Sequence, residues 1–238
     1  MLISTPRYRT AIANSAQLGL MAGAGAVVLG LPLAYAIERF VSSASRRWCL
    51  LALMLPFFSS YVLRVYGWQA WMNNNGILVW LARGPFRLEG ASGFLYTRGA
   101  TLIGLLSVVL PIAALLIHLS LSRIDPVLIS VARNLGASPW ACFLRIELPL
   151  ALPALLVAFL FCFLLAFGDF VCVTILGGNQ TYYYSIAIQD QMKIDDWSMA
   201  SALGVVLLVM SVAFMAITFI LVSRTGAGGR MMRLRLST

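Results

Sequence analysis

Apolar positions in this chain gather into five long runs, 15–37, 48–71, 99–122, 149–176 and 197–223, separated by shorter polar stretches. A helix that crosses a bilayer needs about 20 consecutive apolar residues, so each run predicts one spanning helix. None alternates with a period of two, which argues against strands and a barrel wall. The first run, Ser15 to Ile37, and the fifth, Trp197 to Ser223, carry no charge; the second contains Arg64, the third His118 and the fourth Asp169. The predicted fold class is an all-α polytopic membrane protein with about five transmembrane helices, forming one domain over 1–238. Arg7 and Arg9 before the first run and Ala34-Tyr35-Ala36 near its end also suit a signal peptide. The run, however, exceeds the apolar region of about 7 to 15 residues that such a peptide carries.

The polar stretch 123–148 is more ordered than a plain connection. Asp125-Pro126 supplies a cap and a proline for the first helical position, and Gly136 suits a left-handed C-cap. Ser138-Pro139 then opens a second helix that reaches about Leu148, where Pro149 is expected to end it. Leu128, Val131 and Leu135 share one face of the first short helix; Trp140, Phe143 and Leu144 share one face of the second. Such a helix-turn-helix suits two roles: a solvated connection resting on the membrane, or a docking element for a partner.

Composition supports the membrane reading: 61% of residues are hydrophobic and 11% charged, against about 25% charged in soluble domains. The net charge of +9 does not point to nucleic acid, because the basic residues flank apolar runs instead of forming one patch. They set orientation instead. Arg39, Arg46, Arg47, Arg123, Arg133, Arg145, Arg224, Arg230, Arg233 and Arg235 lie on one side, ten against seven on the other. The ten-residue side is assigned to the cytoplasm, which puts the N-terminus outside, the C-terminus inside, and 38–47 and 123–148 inside. Trp48, Trp68, Trp71, Trp80 and Trp197 fall near run ends, where indoles favour headgroups. The four cysteines show no ligand spacing and read as packing residues; His118, without spaced partners, reads as packed or interfacial.

Several blocks together carry a family resemblance. Ala132, Gly136, Ile146, Leu148 and Pro149 match the spacing E-A-A-x3-G-x9-I-x-L-P of the "EAA" coupling loop of ABC-transporter permeases, with Ser130 and Val131 in place of Glu and Ala. "LPFFSSYVLRVYGW", "AFGDFVCVTILGG" and "DWSMASALGVVLLV" resemble, in order, blocks of the spermidine/putrescine-type permeases. The resemblance covers about residues 11–225. It implies an inner-membrane subunit of a binding-protein-dependent importer, with no catalytic residues, no metal and no cofactor of its own. ATP and Mg would be bound by cytoplasmic ATPase subunits contacting Ser130, Val131, Ala132, Gly136, Ile146, Leu148 and Pro149. The other implied partners are a second, related permease, a periplasmic or extracellular substrate-binding protein, membrane lipid and a small, cationic amine solute; nucleic acid is not among them. Permeases of this type usually begin with a further membrane helix before the block near Asn14, so the resemblance implies either a start upstream or a shorter permease.

Absent motifs agree with a subunit that transports without covalent chemistry. The chain has no G-x-x-x-x-G-K-[ST] loop, no H-E-x-x-H and no G-x-S-x-G. A self-contained secondary carrier would show internal repeats, and none is visible; a purely structural subunit would have no use for the docking loop. Asp169 and Arg64, with Tyr66 and Trp68, are the candidate pathway residues, since ionisable groups within spans favour function. The competing reading is that Asp169 and Arg64 pair with each other or snorkel to headgroups. Gly19, Gly23, Ala22, Ala26 and Gly30 predict close approach of a helix to the first run. "NNNG" at 73–76 and the Gly/Pro-rich 84–93 are turn signals. Tyr182, Tyr183, Tyr184, Asp190, Asp195 and Asp196 suit a pathway mouth, a contact with the binding protein, or an aromatic interface belt.

Overall fold

The structure, a computed structural model, describes residues 6–83, 94–178 and 180–224. Among them are eleven α-helices and no strand: α1 Pro6–Arg39, α2 Ser43–Met54, α3 Tyr61–Met72, α4 Ile77–Arg83, α5 Arg98–Leu121, α6 Pro126–Asn134, α7 Pro139–Cys142, α8 Leu148–Phe167, α9 Val171–Ile175, α10 Tyr184–Lys193 and α11 Trp197–Arg224. A 3₁₀ turn, Leu55–Phe58, follows α2, and a π turn, Phe143–Glu147, joins α7 to α8. Helices α1, α5 and α11 are each long and apolar enough to cross a membrane, as is the continuous stretch Pro139–Phe167; a bent pair, Ser43–Phe58 with Tyr61–Trp80, makes a possible fifth.

The core is the trio α1, α5 and α8. Ala26, Ala34, Val109, Ala113, Ile117, Ala151, Leu155 and Ala158 are buried where they meet. Between lipid-facing helices attraction comes from close contact and not from water exclusion, so small residues decide who touches whom. A Cβ on Gly19 would lie 3.0 Å from the Phe163 ring, one on Gly23 3.1 Å from the Phe159 ring, and one on Gly30 3.3 Å from Ala113 Cβ. The small-residue stripe of α1 therefore admits α8 on one side and α5 on the other. Helix α11 meets α8 through Phe214, whose ring stacks 3.8 Å from that of Phe163, and leaves Val205, Leu208, Val209, Val212, Met215 and Phe219 exposed.

Three expectations need correction. The second apolar run is not one straight helix: it breaks at Ser59-Ser60 and turns by 93°. The fourth run ends as a helix at Gly168, and α9 restarts after Asp169-Phe170. Pro149 does not end the second loop helix either. A proline inside an α-helix lacks an N–H and clashes with the carbonyl four residues back. Here the chain widens into a π turn just before it, with Leu148 N–H bonding to Phe143 O, and the helix continues into α8. Helix α1 also starts nine residues before Ser15, at Pro6. Its first turns are held from outside the helix: Arg7 lies 4.3 Å from the Tyr182 ring centroid and 3.6 Å from Asp190, and Tyr8 Oη accepts from Gln191 at 3.3 Å.

Candidate functional site

The loop 123–148 lies at one end of the bundle, here the loop end, where α1, α5 and α11 finish and α2 and α8 begin. Its two helices are capped locally. Asp125 Oδ1 accepts from Val127 N–H at 2.9 Å, and Ser138 Oγ accepts from Ala141 N–H at 3.2 Å. Gly136 has φ +87°. Gly136 N–H bonds to Arg133 O at 2.9 Å and Ala137 N–H to Ala132 O at 3.0 Å, the paired bonds of a Schellman C-cap. Ile129 anchors α6 inward while Leu128, Val131 and Leu135 are exposed, the last at 83%; Trp140 and Leu144 are exposed on the second helix. Of the predicted coupling residues, Ser130, Val131, Gly136 and Pro149 are exposed, and Ala132, Ile146 and Leu148 half-buried. Leu148 packs against the α1–α5–α8 core. The loop thus presents an apolar face that the described residues leave uncovered, on a frame fixed by its caps.

Behind that face is a cluster of charges that sequence reasoning missed. Glu147, in the π turn and 2% exposed, accepts a hydrogen bond from Arg39 at the end of α1. The neighbouring Glu38 pairs with Arg46 of α2 at 3.1 Å and lies 3.5 Å from His118 Nδ1 of α5. His118 is therefore buried against a carboxylate, within the packed reading. The available signal was Glu147 itself, a carboxylate beside the apolar Leu148-Pro149 run.

At the far end the candidate pathway residues separate. Asp169 and Arg64 do not pair. Asp169 Oδ2 accepts from Tyr61 Oη, and Oδ1 accepts from Cys172 N–H at 2.8 Å, capping α9; its carbonyl accepts from Ser185 Oγ at 2.8 Å. The Arg64 guanidinium folds back onto Pro56 O and onto Ser59 Oγ at 3.1 Å. Tyr66 is half exposed, whereas Trp68 lies against the core with its ring 5.8 Å from that of Trp71. Tyr61 and Ser185 went unpredicted; the Ser59-Ser60-Tyr61 step, a polar point between apolar stretches, was the signal for the first.

Tyr183 and Tyr184 are buried and form no wet belt. They are 3% and 1% exposed, and Tyr184 Oη donates to Leu203 O at 3.0 Å while its N–H donates to Ser15 Oγ at 2.9 Å. Burial pushes both phenols above their ordinary range, so they stay neutral. "NNNG" forms a turn, with Gly76 N–H bonding to Asn73 O at 2.7 Å; the stretch 84–93 lies outside the described residues. A cavity of about 240 Å³ opens between the start of α5 and the segment before α10, lined by Tyr96, Thr97, Arg98, Thr101, Gln180 and Tyr183 among others. Its lining holds one cation, Arg98, and no carboxylate.

Known proteins share this architecture. A chain of a bacterial ABC transporter involved in the import of the acidic polysaccharide alginate superposes with a TM-score of 0.78 at 19% identity, covering 94% of this chain and 81% of its own. In sequence, the spermidine/putrescine transport system permease protein PotB of Escherichia coli (strain K12) is 28% identical over 212 residues, 86% of this chain and 74% of PotB. The probable sulfate transport system permease protein cysT of Nephroselmis olivacea is 27% identical over 223 residues, 90% of this chain and 74% of its own. The model of the binding-protein-dependent transport system inner membrane component family matches residues 26–227. On that match, which spans most of the chain, this protein belongs to the binding-protein-dependent transport system inner membrane component family, as a membrane subunit and not an enzyme.

Proposed function

We propose that this chain is the permease subunit of an ATP-driven importer for a small cationic amine such as a polyamine, driven by a separate ATPase that docks on the loop 123–148. The observation that carries the docking role is the capped loop with its uncovered apolar face. Leu128, Val131, Leu135 and Trp140 stand out from a frame whose ends are fixed by Asp125, Gly136 and Ser138. Exposed apolar groups on a rigid support suit a protein groove better than water. The ATPase subunits hold ATP and Mg, a second related permease completes the pathway, and a substrate-binding protein delivers the solute. The loop end faces the cytoplasm, following the basic residues, and the N-terminus lies outside.

The amine reading rests on Asp169 and on the likeness to PotB; the likeness to the sulfate permease favours the second reading, another small solute carried by the same machinery. The two are separated by uptake in proteoliposomes holding the whole transporter, with spermidine, putrescine and sulfate as competing solutes. Asp169→Asn isolates charge from packing: an amide keeps an acceptor for Cys172 N–H, and its NH₂ can donate to Tyr61 Oη. On the amine reading that variant assembles normally and loses amine uptake. Normal uptake by Asp169→Asn rules out the carboxylate as an amine contact, and accumulation of sulfate in preference to amines selects the second reading.

A further inference from the structure

We infer that Glu147 and Arg39 are the link through which the loop moves α1, making Glu147 a positioning residue for coupling and not part of the docking face. This rests on the importer reading above. Glu147 is fully inside the chain while Leu144 and Arg145, in the same π turn, are exposed. Its Oε1 accepts from Arg39, the last residue of α1, and its Oε2 has no hydrogen-bond partner among the described residues. One turn earlier on α1, Tyr35 meets Phe143 edge to face at 4.9 Å, and Phe143 stacks on Trp140 at 5.4 Å. Trp140 is 67% exposed on the loop surface. An ionic contact and an aromatic one therefore tie the same turn of the loop to the same end of α1, and the aromatic one reaches the exposed face.

The residue before Arg39 extends the connection. Glu38 accepts from Arg46 of α2 on its side chain at 3.1 Å and on its carbonyl at 2.7 Å, and faces His118 of α5. A displacement of the π turn thus reaches α1 directly, and α2 and α5 through Glu38. Stability alone does not explain the arrangement. A buried ion pair stabilises little, because desolvation offsets its attraction, and apolar residues of similar volume serve as well or better. What the pair adds is a discrete contact, made or broken, of the kind that carries coupling between two states. The π turn supplies the pliable segment at the same point, since its wider hydrogen-bond ladder departs from the regular helix on either side.

The test uses the complete transporter in proteoliposomes, with whichever of spermidine and sulfate the wild type accumulates. Three quantities are read: ATPase co-purifying with the permease pair, ATP hydrolysis with and without loaded binding protein, and solute imported per ATP. Glu147→Gln is expected to keep the ATPase attached and hydrolysing, yet to import about tenfold less solute per ATP. The swap Arg39→Glu with Glu147→Arg should restore most of that ratio, and Arg39→Lys should keep a good part of it. A wild-type ratio in Glu147→Gln overturns the link. So does a loss of attachment that tracks the loss of uptake, or a charge swap that restores nothing. A wild-type complex that binds no ATPase refutes the importer reading itself and takes the link with it, a result distinct from the other three.

Discussion

Gly136 offers the sharpest test of the docking loop, because its two contributions can be pulled apart. At φ +87° the residue occupies the left-handed region, which costs an L side chain about 1–2 kcal/mol. Keeping the cap means meeting that cost. Abandoning it loses the bonds from Gly136 N–H to Arg133 O and from Ala137 N–H to Ala132 O, each worth about 0.5–1.5 kcal/mol. The two routes are similar in size, so the penalty of Gly136→Val is set near 1–2 kcal/mol by backbone alone. No steric term within this chain adds to it: a Cβ at this position meets nothing within 4 Å. Helix α6 has nine residues, too few to be stable by itself, so a loss of about 1.4 kcal/mol removes up to about tenfold of its docking-competent population.

Side-chain bulk beyond that is felt only by a partner. Gly136→Ala carries the strain with little volume, Gly136→Val the strain with volume, and Gly136→Asn volume with little strain, because Asn tolerates the left-handed region. If the ATPase approaches this backbone closely, Asn should weaken attachment nearly as much as Val does, and Ala less than either. The assay is co-purification of ATPase with a tagged permease pair, alongside hydrolysis stimulated by loaded binding protein. Membrane insertion and permease pairing should be unchanged in all three, since the apolar spans do not depend on this cap. Full attachment and full stimulated hydrolysis in Gly136→Val would falsify the docking role and leave a solvated connection.

Other outcomes are open to direct measurement. Single cysteines on a cysteine-free background should react with an impermeant outside reagent at Thr181 and be spared at Ser43 and Ser138; labelling at Ser138 inverts the proposed orientation. Tyr61→Phe removes a hydrogen bond to a carboxylate, a class worth about 1.5–3 kcal/mol, so the purified transporter should melt at a lower temperature, and an unchanged melt contradicts the bond. Arg64→Ala should destabilise the complex as well, while Arg64→Gln, which keeps donors for Pro56 O and Ser59, should be milder; equal losses would show that charge, not capping, matters there.

What was legible in the sequence is what is local. Asp125, Ser138 and Gly136 each satisfy backbone groups within a few residues of themselves, so residue type and spacing were enough to read them. The small-residue stripe of α1 was readable as close packing, though not which helices would fill it. Glu147 was not readable, because its partner Arg39 is 108 positions away. Nor was the burial of Tyr184, which depends on Ser15 of α1, 169 positions away, and on the backbone of α11. The early start of α1 was hidden for the same reason: Arg7 and Tyr8 look like solvated flanking residues until α10 is placed beside them.

The helix breaks show most clearly why hydropathy misleads here. A hydropathy scan averages side chains over a window, and around Leu55–Ser60 and Gly168–Phe170 the runs stay apolar on average while the backbone stops being α-helical. Each break frees carbonyls or N–H groups, and in a lipid surround every such group needs a partner from the protein. At the first break the partner is Arg64, reaching back to Pro56 O and Ser59; at the second it is Asp169, accepting from Cys172 N–H. A cation satisfies freed carbonyls and a carboxylate satisfies a freed N–H, so the sign of each charge matches the end of the helix it serves. The two residues that looked like one ion pair are two separate repairs; Tyr61 begins the helix after the first break and donates to the carboxylate at the second. An ionisable residue in an apolar run therefore points first to a place where the helix ends. Whether it also meets a solute depends on what capping leaves free. The Arg64 bonds all leave from one terminal nitrogen, and Asp169 has given one acceptor site on each oxygen, so capping exhausts neither group. For the proposed cationic solute it is the sign of the charge, and not depth in the membrane, that makes Asp169 the better candidate of the two.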